Sequence, residues 1–252
     1  MASQSSVERA LALLQYLARH PGEHGVRPLA GTLAWSPSTT YRLLETLTQA
    51  GFVRQNQSTD KYSIGVAAVQ LGISALGTLD VTRVAPPCLR DLVAETGESA
   101  FLAVLDDTQV VYLLKQEGQY AIGTTARLGS RRPLHCTGLG KALLAGLPPD
   151  AARALLRQAG LPAMTPHTIT DPEVLLAQLA EVHERGYATD HEEVEEGLAC
   201  VAAPVRDYSG ATVAAVSMAG PVGRVLPHEE RFGRRVAAAA LQISTALGYV
   251  PD

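Results

Sequence analysis

The sequence predicts an α+β chain in two parts: a helical head bearing a small hairpin, and a larger body of helices around an antiparallel sheet. Three features point there. Apolar residues recur at helical spacing through residues 5–50, and the first strand-like pair follows only at Phe52-Val53. From Ser99 onward, β-rich runs alternate with helical runs, punctuated by turn signals at Asp106-Asp107 and Asp207-Tyr208-Ser209-Gly210. Charge divides along the same line. Residues 1–66 carry six Lys/Arg against four acids, a balance of +2, which leaves −6 for the rest of a chain of net charge −4.

In the head, residues 5–20 form an amphipathic helix on Val7, Ala10, Leu11, Leu14, Leu17 and Ala18, ended by Pro21-Gly22. Leu29, Ala30 and Leu33 give a shorter helix, and Ala34-Trp35 a turn. Ser36 then stands at an N-cap position with Pro37 at the first helical residue, where a missing N–H costs nothing. Thr40, Leu43, Leu44 and Leu47 make the apolar face of this third helix. Ser38, Thr39, Arg42, Glu45 and Thr46 make the other, and Gly51 closes it. Phe52-Val53 and Tyr62-Ile64 pair around a polar loop at residues 55–61. A helix pair whose second member offers hydroxyls and an arginine beside a basic-tipped wing suits a helix-turn-helix in a major groove. Ser38, Thr39 and Arg42 are the candidate base readers, with Arg9, Arg27, Arg54 and Lys61 on phosphate. The alternative is a helical subdomain whose hydroxyls are only solvated.

Residues 66–79 follow as a linker helix in which Gly72 and Gly77 permit close packing on a second copy; a plain hinge helix is the alternative. Residues 81–96 are helical on Val84, Ala85, Leu89, Leu92 and Val93, with Pro86-Pro87 at the start or at a kink. Residues 100–105 and 109–115 make a hairpin, and residues 120–125 add a third strand. Helices are expected at 138–147, 151–158, 172–185 and 227–247, and strands at 199–205 and 212–219. The resulting boundaries are 1–65, 66–80 and 81–252.

Composition bounds the function classes. Hydrophobic content of 46% and charged content of 18% suit a soluble globular chain. Three cysteines without a CxxC make neither a disulfide framework nor a standard zinc site. No signal peptide and no membrane-length apolar run is visible, so a cytoplasmic chain is expected. Gly138-Leu139-Gly140-Lys141-Ala142 is not a P-loop, because His135 stands where glycine is needed and Ala142 where Ser/Thr is needed. It is not a dinucleotide fingerprint either, with Leu143 at the third glycine. Helix-terminal amides open to a small anion survive as its reading. Cys200, His135 and Asp190 can be drawn as a cysteine-hydrolase triad, and His135, Cys136, His191 and Cys200 as a zinc set. No local signature supports either.

Two stretches resemble the IclR family of bacterial transcription regulators. One is SSVERALALLQYLA followed by SPSTTYRLLETLTQAGFV. The other is RPLHCTGLGKALLA followed by GYATDHEEVEEGLACVAAPVRDYSGATVAAVSMAGP. The resemblance implies a winged helix-turn-helix, a linker helix and a GAF-like effector-binding domain, no cofactor, and a dimer or dimer of dimers on double-stranded operator DNA. It places the ligand site on Gly138, Leu139, Asp190, Cys200 and Ser217, with a small organic acid as effector. Ala219 stands where some members carry a second serine. The rival reading is a small-molecule-binding protein, or an enzyme using Cys200, whose N-terminal helices serve dimerisation.

Overall fold

The computed structural model describes residues 5–76, 80–120, 124 and 126–251, and divides into compact units at residues 1–78 and 79–252. The first unit opens with α1 (Ser6–Arg19), capped reciprocally by Ser5 and Glu8. Leu13 and Leu17 are its buried residues, while Val7 and Leu11 are 68% and 55% exposed. The core is thus met along the Leu13 edge, and the expected Val7–Leu11 stripe faces outward. After α2 (Val26–Thr32), Ala34 turns the chain at a φ of +54°. Helix α3 (Pro37–Gln49) is capped by Ser36, whose Oγ accepts from Thr39 N at 3.2 Å. It buries Thr40, Leu44 and Leu47. Gly51, at φ +75°, releases the chain into β1 (Val53–Asn56), which pairs antiparallel with β2 (Lys61–Ile64). Leu13, Leu17, Leu29, Leu44, Val53 and Tyr62 form one core, so the hairpin is tied to the helices by side-chain burial. Helix α4 (Val66–Leu76) ends the unit with Val66, Val69, Leu71 and Ile73 exposed; Gly77 lies outside the described residues.

The second unit begins with α5 (Asp80–Thr96), which runs continuously through Pro86 and Pro87. Two missing N–H donors neither start nor end it, because Val81, Ala85, Leu89, Leu92 and Val93 bury one face on a sheet. The sheet contains β3 (Ser99–Asp106), β4 (Gln109–Gln116), β5 (Arg131–Pro133), β6 (Ala188–His191), β7 (Leu198–Arg206) and β8 (Thr212–Pro221), all antiparallel. Its order is β5-β4-β3-β8-β7-β6. The strand expected at 120–125 falls largely on residues 121–123 and 125, outside the described residues; β5 is the strand found beside β4.

Period-two alternation builds a core on each face. Ala100, Leu102, Val201, Ala203, Val216 and Met218 meet α5 and the last helix, α10 (Glu229–Ala246), which a short turn α9 (Val222–Val225) introduces. On the other face, Phe101, Ala103, Ala202 and Ala215 meet α6 (Gly138–Ala145), α7 (Pro149–Ala159) and α8 (Pro172–Arg185). Among the described residues no helix is long and apolar enough to cross a membrane.

Candidate ligand and nucleic-acid sites

Helix α6 is buried from Gly138 to Leu144, and two glycines let it sit that deep. A Cβ on Gly140 would fall 2.1 Å from the Leu134 carbonyl oxygen, and one on Gly138 would fall 2.9 Å from Cys200 Sγ. Thr137 caps the helix, accepting from Gly140 N at 3.0 Å while donating to Pro133 O at 2.9 Å. That leaves the Gly138 and Leu139 N–H groups without intrahelical acceptors, at the positive end of the helix dipole.

Gly138 and Leu139 line a cavity of about 50 Å³, the Gly138 N–H directed at Cys200 Sγ, and all five expected ligand residues meet there: Gly138, Leu139, Asp190, Cys200 and Ser217. Strand pairing brings the last three together. Asp190 on β6 faces Cys200 on β7, and Ser217 on β8 lies diagonally across from Cys200. Ser217 Oγ is fully buried and makes no hydrogen bond. It stands close enough to favour a Cys200 thiolate, yet the neutral thiol is too poor an acceptor to hold it. Such an unmet hydroxyl costs free energy unless a ligand or water completes it.

Burial pushes the Asp190 carboxyl up to about 7, against hydrogen bonds from Glu193 N, at 2.8 Å, and Val194 N. Lys141 reaches under this turn: its Nζ is fully buried, donates to Thr189 O at 3.1 Å and pairs with the Glu193 carboxylate. Thr165 and Thr168 hydroxyls donate to the backbone oxygens of Glu192 and Glu193, at 2.7 and 2.6 Å. The Lys141–Glu193 tie is invisible as spacing, since the partners are far apart in sequence and an acidic run reads as solvated. Tyr112 and Arg132, also lining the cavity, were equally hidden because topology alone brings β4 and β5 there.

The hydrolase reading fails on geometry. Burial, then Asp190, pushes the Cys200 thiol up to about 12, so no thiolate is available near neutral pH. His135 Nε2 is engaged with Pro162 O at 3.0 Å, and burial lowers its pKa. Among the described residues no three His, Cys, Asp or Glu side chains gather as a metal site needs. A larger surface groove of about 1220 Å³ between α6, α8 and the β7–β8 turn shares no residue with the cavity. No buried unpartnered polar atom lines it, among the described residues, whereas Ser217 lines the small one.

In the first unit Arg42 and Ser38 are exposed on α3, while Thr39 is half-buried. Ser36 Oγ lies 3.0 Å from Ser38 Oγ and 2.9 Å from Thr39 Oγ1, so the cap also orients both hydroxyls. Arg27, Arg54 and Lys61 are exposed, the latter two on the hairpin, where Arg54 Nε donates to Ser63 Oγ at 2.9 Å. Arg9 is half-buried on α1 with its Nε unpartnered. Tyr41, half exposed beside Arg42, escaped the sequence reading because an aromatic on an amphipathic helix reads as core.

Family models match both parts of the chain: the IclR helix-turn-helix domain over residues 6–57, and the bacterial transcriptional regulator IclR C-terminal domain over residues 73–245. The chain belongs to the IclR family. It is a DNA-binding transcriptional regulator of that family and not an enzyme. Within the IclR family it is 37% identical over 249 residues to the HTH-type transcriptional repressor AllR of Salmonella paratyphi A, covering 98% of this chain and 91% of that one. It is 38% identical over 250 residues to the regulator KdgR of Escherichia coli, covering 98% and 94%. The IclR structure of Thermotoga maritima superposes with a TM-score of 0.82 at 32% identity, over 97% and 99% of the two chains. An IclR homologue from Microbacterium hydrocarbonoxydans complexed with 4-hydroxybenzoate gives 0.86 at 25% identity, over 96% and 99%.

Proposed function

We propose that this regulator binds a partly palindromic operator as a dimer and that a small carboxylic acid in the α6–β7–β8 cavity weakens that binding. One observation carries the effector reading: the unmet Ser217 hydroxyl and the α6 amides converge on one cavity with Asp190 and Cys200. Amides at a helix start are natural partners of a carboxylate, and the 4-hydroxybenzoate of a structural relative is such an acid. Leu139 and Ala219 make the rest of the cavity apolar.

The dimer reading rests on α4 and on recognition arithmetic. One short helix reads too few base pairs for a genome, so two half-sites are needed about one helical turn apart. The exposed Val66, Val69, Leu71 and Ile73 offer a second copy an apolar surface. Operator binding sets the place of action in the bacterial cytoplasm.

A mobility shift on the DNA upstream of the gene tests the whole reading. Wild type should retard it, and a cognate acid should release it. Ser217→Ala should bind the DNA equally but respond to the acid only at raised concentration. An unaltered acid response in Ser217→Ala would remove the site.

A further inference from the structure

The far end of the cavity carries chemistry that those five residues leave unused. Every strand of the sheet contributes to its lining, in sheet order Arg132 on β5, Tyr112 on β4, Phe101 on β3, Ser217 on β8, Cys200 on β7 and Asp190 on β6. Arg132 stands three strands from Ser217 and, by register, about four residues along them, roughly 19 Å between backbones, and its long side chain covers part of that gap. Its guanidinium has no hydrogen bond or ion pair among the described residues. The neighbouring Arg131 is instead held by Asp106 on the β3–β4 turn. Arg132 lies near enough to Tyr112 to favour the phenolate electrostatically, although burial wins and raises that phenol's pKa.

The cavity is therefore anchored at both ends by groups that want an anion. At one end the α6 helix start stands beside the buried, unpartnered Ser217 hydroxyl; at the other is the half-exposed Arg132 guanidinium, which has no protein partner among the described residues. We propose that the effector is a short dicarboxylic acid, one carboxylate on the Gly138–Leu139 amides and Ser217, the other forked by Arg132. A guanidinium presents paired donors that match a carboxylate's two oxygens, which a lone amide cannot do. The small volume favours the shortest diacids, part of which must lie at the half-exposed Arg132 end. This inference rests on the effector reading of the cavity.

The test uses the full chain and two probe sets in calorimetric titrations: the α,ω-dicarboxylates from malonate to adipate, and their monoamides, equal in length but one charge poorer. At least one diacid should bind wild type about tenfold more tightly than its own monoamide. Arg132→Gln should abolish that preference, and Arg132→Lys, which keeps the charge and loses the fork, should retain only part of it. Ser217→Ala should weaken diacid and monoamide alike. A diacid preference missing from wild type, or kept in Arg132→Gln, overturns the dicarboxylate assignment. Monoamides that bind wild type as tightly as diacids sink this inference alone. Should neither set bind while another acid releases the operator, the same assignment fails with the effector reading intact. A chain that no acid releases loses both.

Discussion

Asp190 is the residue at which the proposed ligand site meets solution conditions. Its carboxyl, held near 7, is protonated in the folded state over a range where an unfolded chain's Asp is ionised. The folded state therefore carries the extra proton, so stability falls as pH rises from about 4 and levels off above 7. Asp190→Asn should stabilise the second unit at about pH 8 and do little at about pH 4, read by urea denaturation. Binding an anion beside Asp190 holds its proton more tightly still. Acid affinity should thus be flat below pH 7 and fall about tenfold per pH unit above it, with proton uptake. Calorimetry in buffers of different ionisation enthalpy measures that uptake, which Asp190→Asn should abolish. On α3, Arg42→Ala should cost about 1–3 kcal/mol of operator binding and relax preference at one base pair. Lys61→Ala should weaken all sequences alike and lower the salt slope by about one. An unchanged preference in Arg42→Ala sinks the base-reading assignment.

At the scale of elements, α6 decides the second unit. Lys141 is a buried cation whose removal strands the Glu193 carboxylate, with Oε2 already unpartnered. Lys141→Met should destabilise that unit by about 3–5 kcal/mol, and adding Glu193→Leu should recover most of the loss. Recovery, followed by chemical denaturation, separates a stranded charge from lost packing. Most elements were legible beforehand because their signals are local. Ser36-Pro37 marks a helix start, Gly51 and Gly186 mark ends, and Asp207-Tyr208-Ser209-Gly210 marks a hairpin turn. Pro86-Pro87 does not start α5, which is helical from Asp80, because burial of its face outweighs two absent donors. Strand β6 left no trace, since four residues containing Thr189, Asp190 and His191 do not read as β. The five proposed ligand residues were nameable through resemblance, but their company was not. Arg132, Tyr112 and Glu193 reach the site or its supporting turn through a sheet order that no spacing encodes.

For the molecule as a whole, the exposed apolar residues of α4 set the assembly prediction. Ile73→Asp should shift the protein toward monomer in light scattering at micromolar concentration and abolish cooperative operator binding. A wild type that is monomeric with and without DNA removes the dimer reading. The pinning of residues 190–195 has a consequence in time rather than in affinity. Lys141 holds that turn by its side chain, and Thr165 and Thr168 hold it by its backbone. A ligand enclosed behind it leaves only as often as those bonds break together. If the proposed acid effector sits behind this turn, the regulator keeps a record of it after it is gone, and transcription should lag behind supply. Stopped-flow release after dilution reads that lag, and Thr168→Val should shorten it.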